Sequence, residues 1–583
     1  MMELPHKKLD QFSATAIASN DILSSCLYVS GIAIMFAGIW APIIFVLIAL
    51  VLFFYKKVYI EVVEALPLNG GAYNCLLNAT AKNRAAIAGV MTVLSYIATS
   101  VISAKTASEY VHTIFSDIRV TPLTIGIIVF FAILTAIGVK DSAKVAKIIF
   151  SLNIFTLILF ISLGLISIVN NGWLELVTNW QYTSQLFSLR PPWQLLFFAF
   201  STSLLGVSGF ESSANFVEEQ QKGVFRQTLK NMLIGVAILN PLIAIVVLHI
   251  LPIPEITAAS DFVLAQAALT LGGQGLQWLM VANAFLVLSG AVLASFVGAT
   301  GLLYRMTLDH CLPSALFLPK LKKRNTNSQR LIILFAALCI SILLITKGNL
   351  LSLAGVYTIS FLGVMTFFAL GNIILRYNRS DLKRTYQDKL IFVILAALST
   401  TFGIIGNVLI NPQNLVYFLY YFVPGLSIVI MMIYRDYILE WLAKLVKPVG
   451  FISRLVKPIL DHVINTRIVL FAHEPSKLYR SLEYIRKNET SRRISVVYCS
   501  KNDQLANKKI QTFLEYIDVF KQAKIYPQFE IKFLEEQEYN FGSEVIRVYA
   551  NRFHMGRNNI FIGTIHQEHD VDFEDLGGVR IIQ

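Results

Sequence analysis

Asp21 is a carboxylate in an expensive place. It lies about nine residues into the first long apolar stretch, about 13 Å deep at 1.5 Å per residue. An ionised acid near mid-bilayer persists only when paired, hydrated or protonated. Read that way, Asp21 binds a cation, whether an ion, a substrate ammonium or a proton. If the helix starts later, Asp21 is instead an N-cap at the interface. Ser24, Ser25 and Tyr28 follow, offering hydroxyls and backbone groups as ligands, or serines that only satisfy a neighbouring helix. Residues 201–213 repeat the arrangement: Gly206, Ser208 and Gly209 interrupt another apolar stretch, and Glu211 comes next. Glycine tolerates the torsions such a break requires. Glu211 either binds a cation or proton or pins the break by accepting backbone hydrogen bonds. Unwound backbone in lipid leaves polar groups unpaired, so it survives only around a cavity. Matching interruptions in two halves of a polytopic chain point to a transporter's binding site.

The elements that must position these residues are helices. Ser95, Tyr96, Thr99 and Ser103 fall largely on one face of a third span, either lining the site or joining helices. Lys105 and Glu109, four apart, read as an interfacial ion pair. Tyr357 and Thr358 in a tenth span are placed to gate the site from outside.

The composition requires a membrane. Of 583 residues, 55% are hydrophobic and 15% charged, with mean hydropathy +0.62, against about 25% charged in soluble chains. Apolar runs near the 20 residues a spanning helix needs predict about twelve spans, beginning near Phe12, Ala41, Ala85, Pro122, Ala143, Trp193, Lys230, Leu276, Gln329, Leu350, Lys389 and Asn414. Basic residues gather in alternate loops, as at Lys82 and Arg84, at Lys222, Arg226 and Lys230, and at 320–324, whereas residues 252–262 carry only acids. The positive-inside rule then predicts that both termini are cytoplasmic. This pattern absorbs most of the net charge of +13 and argues against a nucleic-acid partner. The first residues lack the pattern of a cleaved leader. The five cysteines are scattered, so neither a zinc site nor a disulfide framework is expected, and no cofactor or catalytic constellation is predicted.

Four short stretches carry a resemblance: NGGAY (69–73), GVKDSAK (138–144), GFESSANFVEE (209–219) and LLYRMTLDHCLP (302–313). In this order they resemble the amino acid–polyamine–organocation superfamily of permeases, over the whole membrane body. The resemblance implies two inverted repeats of five helices, the first and sixth unwound, with two further helices. It implies alternating-access transport of amino acids or related small amines, and it sets the third-span face against the broken helices. Where such permeases carry a glycine-rich step in the first helix, this chain reads LSSCLY behind Asp21, and an acid there repels a substrate carboxylate. Asn153 stands where some proton-coupled members have a lysine, which leaves the coupling ion, proton or sodium, open. The first helix also looks like that of bacterial potassium importers in the same superfamily, which carry an acid and a tyrosine at the positions of Asp21 and Tyr28. In that case Thr99 and Ser208 would add hydroxyl oxygens, as a hard cation prefers, although a second acid of those importers is replaced by Ser95.

The expected organisation is a transmembrane transporter domain (1–434), a basic amphipathic linker on the lipid surface (435–465) and a cytosolic α/β domain (466–583). Strand-like runs at 467–473, 493–499, 529–534 and 559–564 alternate with helical patterns, which predicts a parallel sheet covered on both faces. This tail resembles universal-stress-protein-like domains, implying a regulatory role or a homodimer contact. The glycine-rich phosphate loop of nucleotide-binding members is missing after Gly563. The chain thus reads as an integral membrane protein of a bacterial inner membrane, and as a secondary transporter of amino acids or amines, of potassium, or as a sensor that kept the transporter fold.

Overall fold

Long apolar stretches punctuated by Gly, Pro and Asn become helices because a chain in lipid must satisfy its backbone internally. The computed structural model describes residues 8–138, 143–313, 329–379, 384, 386–445, 466–501, 505–563 and 579–582. The helices are α1 (Gln11–Ser24), α2 (Cys26–Ala37), α3 (Ala41–Ala65), α4 (Gly71–Ala79), α5 (Lys82–His112), α6 (Val120–Ile137), α7 (Ala143–Asn171), α8 (Leu174–Leu189) and α9 (Pro192–Ser203). Then come α10 (Val224–Ile250), α11 (Ile253–Ala258), α12 (Val263–Leu308, kinked at Gly273), α13 (Gln329–Ile345), α14 (Leu350–Asn378), α15 (Leu390–Ile410), α16 (Gln413–Ile433) and α17 (Arg435–Leu445). Among the described residues ten helical runs are long and apolar enough to cross a membrane, where the sequence predicts about twelve. Two physical reasons account for the difference. Residues 11–65 form one nearly continuous run that takes in the first two expected spans, and α13, with 17 residues, is shorter than a full bilayer crossing.

The central helix is α5, with 83% of its apolar window buried, against 11% for the peripheral α16. Its composition explains this. Ala85, Gly89, Ala98, Ser103 and Ala107 let neighbouring helices approach closely, as small residues do in lipid. A second close approach joins α15 to the broken sixth span. A Cβ at Gly406 would meet Ser201 Oγ, and one at Gly403 would meet Leu204. Asn407 Nδ2 donates to the Ser201 carbonyl at 2.8 Å.

The C-terminal residues form a sheet unit. Five parallel strands, β1 (Arg467–Phe471), β2 (Arg493–Cys499), β3 (Glu530–Glu536), β4 (Ile560–Ile562) and β5 (Arg580–Ile581), lie in the order β3-β2-β1-β4-β5. Alternate residues face opposite ways. Ile468 and Leu470 pack on one side with α18 (Leu478–Asn488) and α19 (Ala506–Gln522), while Val469 and Phe471 pack on the other with α20 (Ser543–Arg552). The unit touches the membrane body through α18: Tyr484 Oη donates to the Leu77 carbonyl at 2.8 Å, and Asn488 Oδ1 accepts the Lys82 N–H at 2.6 Å. Most of the linker expected over 435–465 lies outside the described residues, as do His566 and His569; α17, with Tyr437 and Trp441 exposed, is its described part.

Candidate functional site

The first break is smaller than its residues suggest. The chain leaves α1 at Ser24 and re-enters helix at Cys26, and Ser25 between them keeps helical torsions of φ −66° and ψ −27°. The backbone tightens around it, with Ser25 N–H reaching the Ile22 carbonyl at 3.3 Å and Tyr28 N–H the Ser25 carbonyl at 3.2 Å. The serines do the stitching. Ser24 Oγ donates to the Asp21 carbonyl at 2.7 Å, and Ser25 Oγ reaches the Ile22 and Gly206 carbonyls at 2.6 and 3.2 Å. The expectation of an unwound first helix is therefore corrected to a one-residue hinge, because hydroxyls that bond back three residues replace the missing helical bonds.

The second break is fully unwound. After α9, residues Leu204–Val207 form a 3₁₀ turn, Ser208 is extended (ψ 140°), Gly209 is left-handed (φ +91°) and Phe210–Asn215 is again 3₁₀. Gly209 is required twice over. A Cβ there would sit 2.8 Å from the backbone carbon and from Cγ of Asp21, and 2.7 Å from the Ile22 nitrogen. The absence of a side chain brings the second break directly against Asp21. The Gly209 N–H donates to Glu211 Oε2 at 3.1 Å, and Ser212 Oγ donates to the Gly209 carbonyl at 2.6 Å. Glu211 thus pins the break, and it does so half-buried, with a face still open.

Around this junction the hydroxyls converge. Tyr28 and Tyr357 are neighbours of Ser208, and all three residues are buried. Tyr357, expected as an outer gate, is buried beside Ser208. Asp21, Tyr96, Glu211 and Asn215 are half-buried and make the partly exposed edge, or mouth, of this junction, where Asn215 Nδ2 donates to Tyr96 Oη at 2.6 Å. Thr99, buried one turn from Tyr96, gives its proton to the Ser95 carbonyl at 2.8 Å and keeps oxygen lone pairs for a ligand. Asn153 is elsewhere. Its Oδ1 accepts from Asn283 Nδ2 at 2.9 Å, tying α7 to α12. The groups these elements carry are two carboxylates and the hydroxyls of Tyr, Ser and Thr.

Two asparagines do not stand out in the sequence. Asn215 holds the mouth, as described. Asn240 of α10 is buried, its Oδ1 and Nδ2 both lack partners, and its Nδ2 would lie 3.3 Å from a Cβ at Gly206. The signal for it is an Asn-Pro pair inside an apolar span (Asn240, Pro241), since an amide at that depth is costly without a role.

Further along α5 a set of close contacts forms a candidate seal. Lys105 Nζ lies 2.8 Å from Glu109 and 2.5 Å from Asp261, and α2 presses on the loop beyond α11, where a Cβ at Gly31 would meet the Ser260 backbone at 2.9 Å. This seal lies 23 residues along α5 from Lys82, about 35 Å away. Lys105→Gln is expected to leave Asp261 and Glu109 repelling each other and to loosen that end. Maleimide labelling of a Ser260→Cys reporter should then rise at least fivefold, and unchanged labelling would show that the seal does not depend on charge.

Two interrupted helices packed against each other within a bundle of apolar helices are the geometry of a carrier, and the sequence matches accordingly: residues 9–452 fit the signature described as amino acid permease. The chain belongs to the amino acid permease family. It is an integral membrane protein and a secondary transporter, not an enzyme. An uncharacterized protein of Methanocaldococcus jannaschii is 24% identical over 383 residues, spanning 64% of this permease and 84% of the relative. Among solved structures, a point mutant of the Eremococcus coleocola manganese transporter aligns with TM-score 0.44 at 12% identity, covering 73% of this chain and 92% of that one. A Na⁺-coupled sialic acid symporter in a substrate-bound outward-open state aligns with TM-score 0.45 at 14% identity, covering 69% and 90%.

Proposed function

We propose that this permease carries a small monovalent cation of potassium size by alternating access, with Asp21, Tyr28, Thr99, Ser208 and Tyr357 supplying the oxygens. The observation that carries this reading is that the backbone donors nearest the two acids are already engaged. The Gly209 N–H is taken by Glu211, and the N–H groups of Ser25 and Tyr28 by backbone carbonyls. An amino acid's carboxylate finds no ready partner beside Asp21 and Glu211, whereas a bare cation needs only acceptors. The second reading, amino acids or compact amines, is favoured by family membership.

In this proposal the basic loops place the mouth, both termini and the sheet unit in the cytoplasm of a bacterial inner membrane. The body reads as twelve spans in two inverted five-helix repeats with two more. The sheet unit reads as a regulatory α/β domain of universal-stress-protein type that offers a homodimer contact, and α17 begins a basic segment on the lipid surface. The coupling ion is left to experiment. The test is uptake by purified protein in liposomes under an imposed proton gradient, comparing labelled rubidium with a pool of labelled amino acids. Rubidium flux alone supports the first reading. Amino acid flux without rubidium overturns it in favour of the second.

A further inference from the structure

Five charged side chains meet where the sheet unit touches the membrane body, and four of them are almost fully buried. From the sheet unit come Arg580, on β5, and Glu489, just past α18. From the body come Lys82 at the start of α5, Arg305 near the end of α12 and Asp309 just beyond it. Arg580 Nη2 and Nε donate to Asp309 Oδ1 at 2.8 and 3.2 Å, and Arg580 also pairs with Glu489. Lys82 Nζ lies 2.9 Å from Glu489, and Arg305 Nε 3.3 Å from Asp309. Side-chain exposure is 2% for Arg580, 0% for Asp309, 6% for Glu489 and 5% for Lys82. Burial opposes the charge on Asp309, but Arg580, Arg305 and Lys82 outweigh it and hold its carboxyl at about 2. Such a network is all-or-none. Removing one member leaves an uncompensated buried charge, whereas undocking hydrates all of them together.

The network connects to the mouth of the transport site. Asp309 Oδ2 also accepts from Tyr73 Oη of α4 at 2.8 Å. At its start α4 comes against the mouth: a Cβ at Gly71 would lie 3.0 Å from Oδ1 of Asn215, the residue that holds Tyr96. Just before α4, Asn69 and Glu218 exchange two hydrogen bonds of 2.9 Å each. One short helix therefore abuts Asn215 at its start and bonds through Tyr73 to Asp309, the partner of Arg580. Among the described residues the strand that presents Arg580 pairs with β4 over two residues at the sheet edge. Edge elements with few contacts are the first to open.

We propose that Arg580 is the latch of a built-in brake. While it is docked, the sheet unit holds α4 and the end of α12 in the arrangement seen here, with the mouth residues partly exposed. When β5 lets go, α4 is free to move, the mouth can close, and transport speeds up. Spatial continuity alone does not establish coupling, so the test reads conformation and rate separately. In the full-length protein, Arg580→Gln is expected to slow N-ethylmaleimide labelling of a Ser212→Cys reporter at the mouth at least threefold, measured against parents lacking that reporter. It is also expected to raise the turnover of whichever probe the wild type carries, rubidium or amino acids, at least threefold with KM within twofold. A Leu308→Cys/Asn558→Cys pair, joined by a short bismaleimide where Asn558 Nδ2 donates to the Leu308 carbonyl, keeps Arg580 intact and should slow turnover relative to the same pair left unlinked. Unchanged labelling in Arg580→Gln, or a linked protein as fast as the unlinked one, overturns the brake. If the wild type carries neither probe, the transport reading fails by itself, and the labelling result still decides the latch.

Discussion

Asp21→Asn is expected to abolish saturable rubidium uptake while leaving the protein folded and monodisperse. The substitution keeps the shape and removes one charge. A unit charge pair about 4 Å apart contributes about 4 kcal/mol at an effective dielectric of about 20. Water at the half-open mouth reduces this, and a loss of about 2.7 kcal/mol, about a hundredfold in affinity, is expected. The neighbouring geometry sharpens the case. Asp21 Cγ lies against Gly209, whose N–H is held by Glu211, so the second carboxylate is already committed to the backbone and cannot fully stand in. The measurement is rubidium flux against concentration in liposomes for wild type, Asp21→Asn and Asp21→Glu. Uptake by Asp21→Asn within threefold of wild type would remove Asp21 from the site.

Gly209→Ala is expected to cost transport almost as much, for a different reason. A left-handed φ of +91° disfavours any residue with a Cβ by about 1–2 kcal/mol. The added methyl also runs into backbone atoms of Asp21 and Ile22, an overpacking worth about 1–3 kcal/mol. Backbone cannot swing aside as a flexible side chain can, so the two breaks must separate. Gly223 is the control. It has φ +80° and nothing within 4 Å of its would-be Cβ, so Gly223→Ala carries the torsional strain without the collision. Uptake should fall at least tenfold in Gly209→Ala and stay within twofold in Gly223→Ala. Equal losses in the two would mean that strain, and not the contact with Asp21, is what matters.

The parts of this site that can be read from the sequence are those fixed by local chemistry. Gly206, Ser208 and Gly209 mark the second break because glycine torsions and a polar residue at membrane depth have few other uses, and Lys105 with Glu109 follows from helical spacing. The first break misleads because Ser24 and Ser25 can open a helix or mend it, and the choice depends on which carbonyls lie within reach, including that of Gly206, 181 residues away. Its place in the chain assigns Tyr357 to the outside, while its contact with Ser208 depends on how α14 packs. Asp261 joins Lys105 from a loop 156 residues on, and α8 lies between spans with too weak a pattern to stand out. Arg580 is unreadable: an arginine near the end of a charged tail looks like solvated surface until the fold brings it to Asp309.

The contact between α15 and the sixth span has a mechanical meaning. Ser201 and Leu204 are seated on Gly406 and Gly403 with no clearance, and Asn407 bonds to the Ser201 carbonyl, so α9 cannot tilt without taking α15 along. The outer side of α15 is a row of greasy side chains, Ile391, Leu398, Phe402, Ile405 and Leu409, which stir lipid whenever they travel. The carrier cycle is thereby geared to the bilayer itself, and acyl-chain viscosity becomes a drag on each turnover.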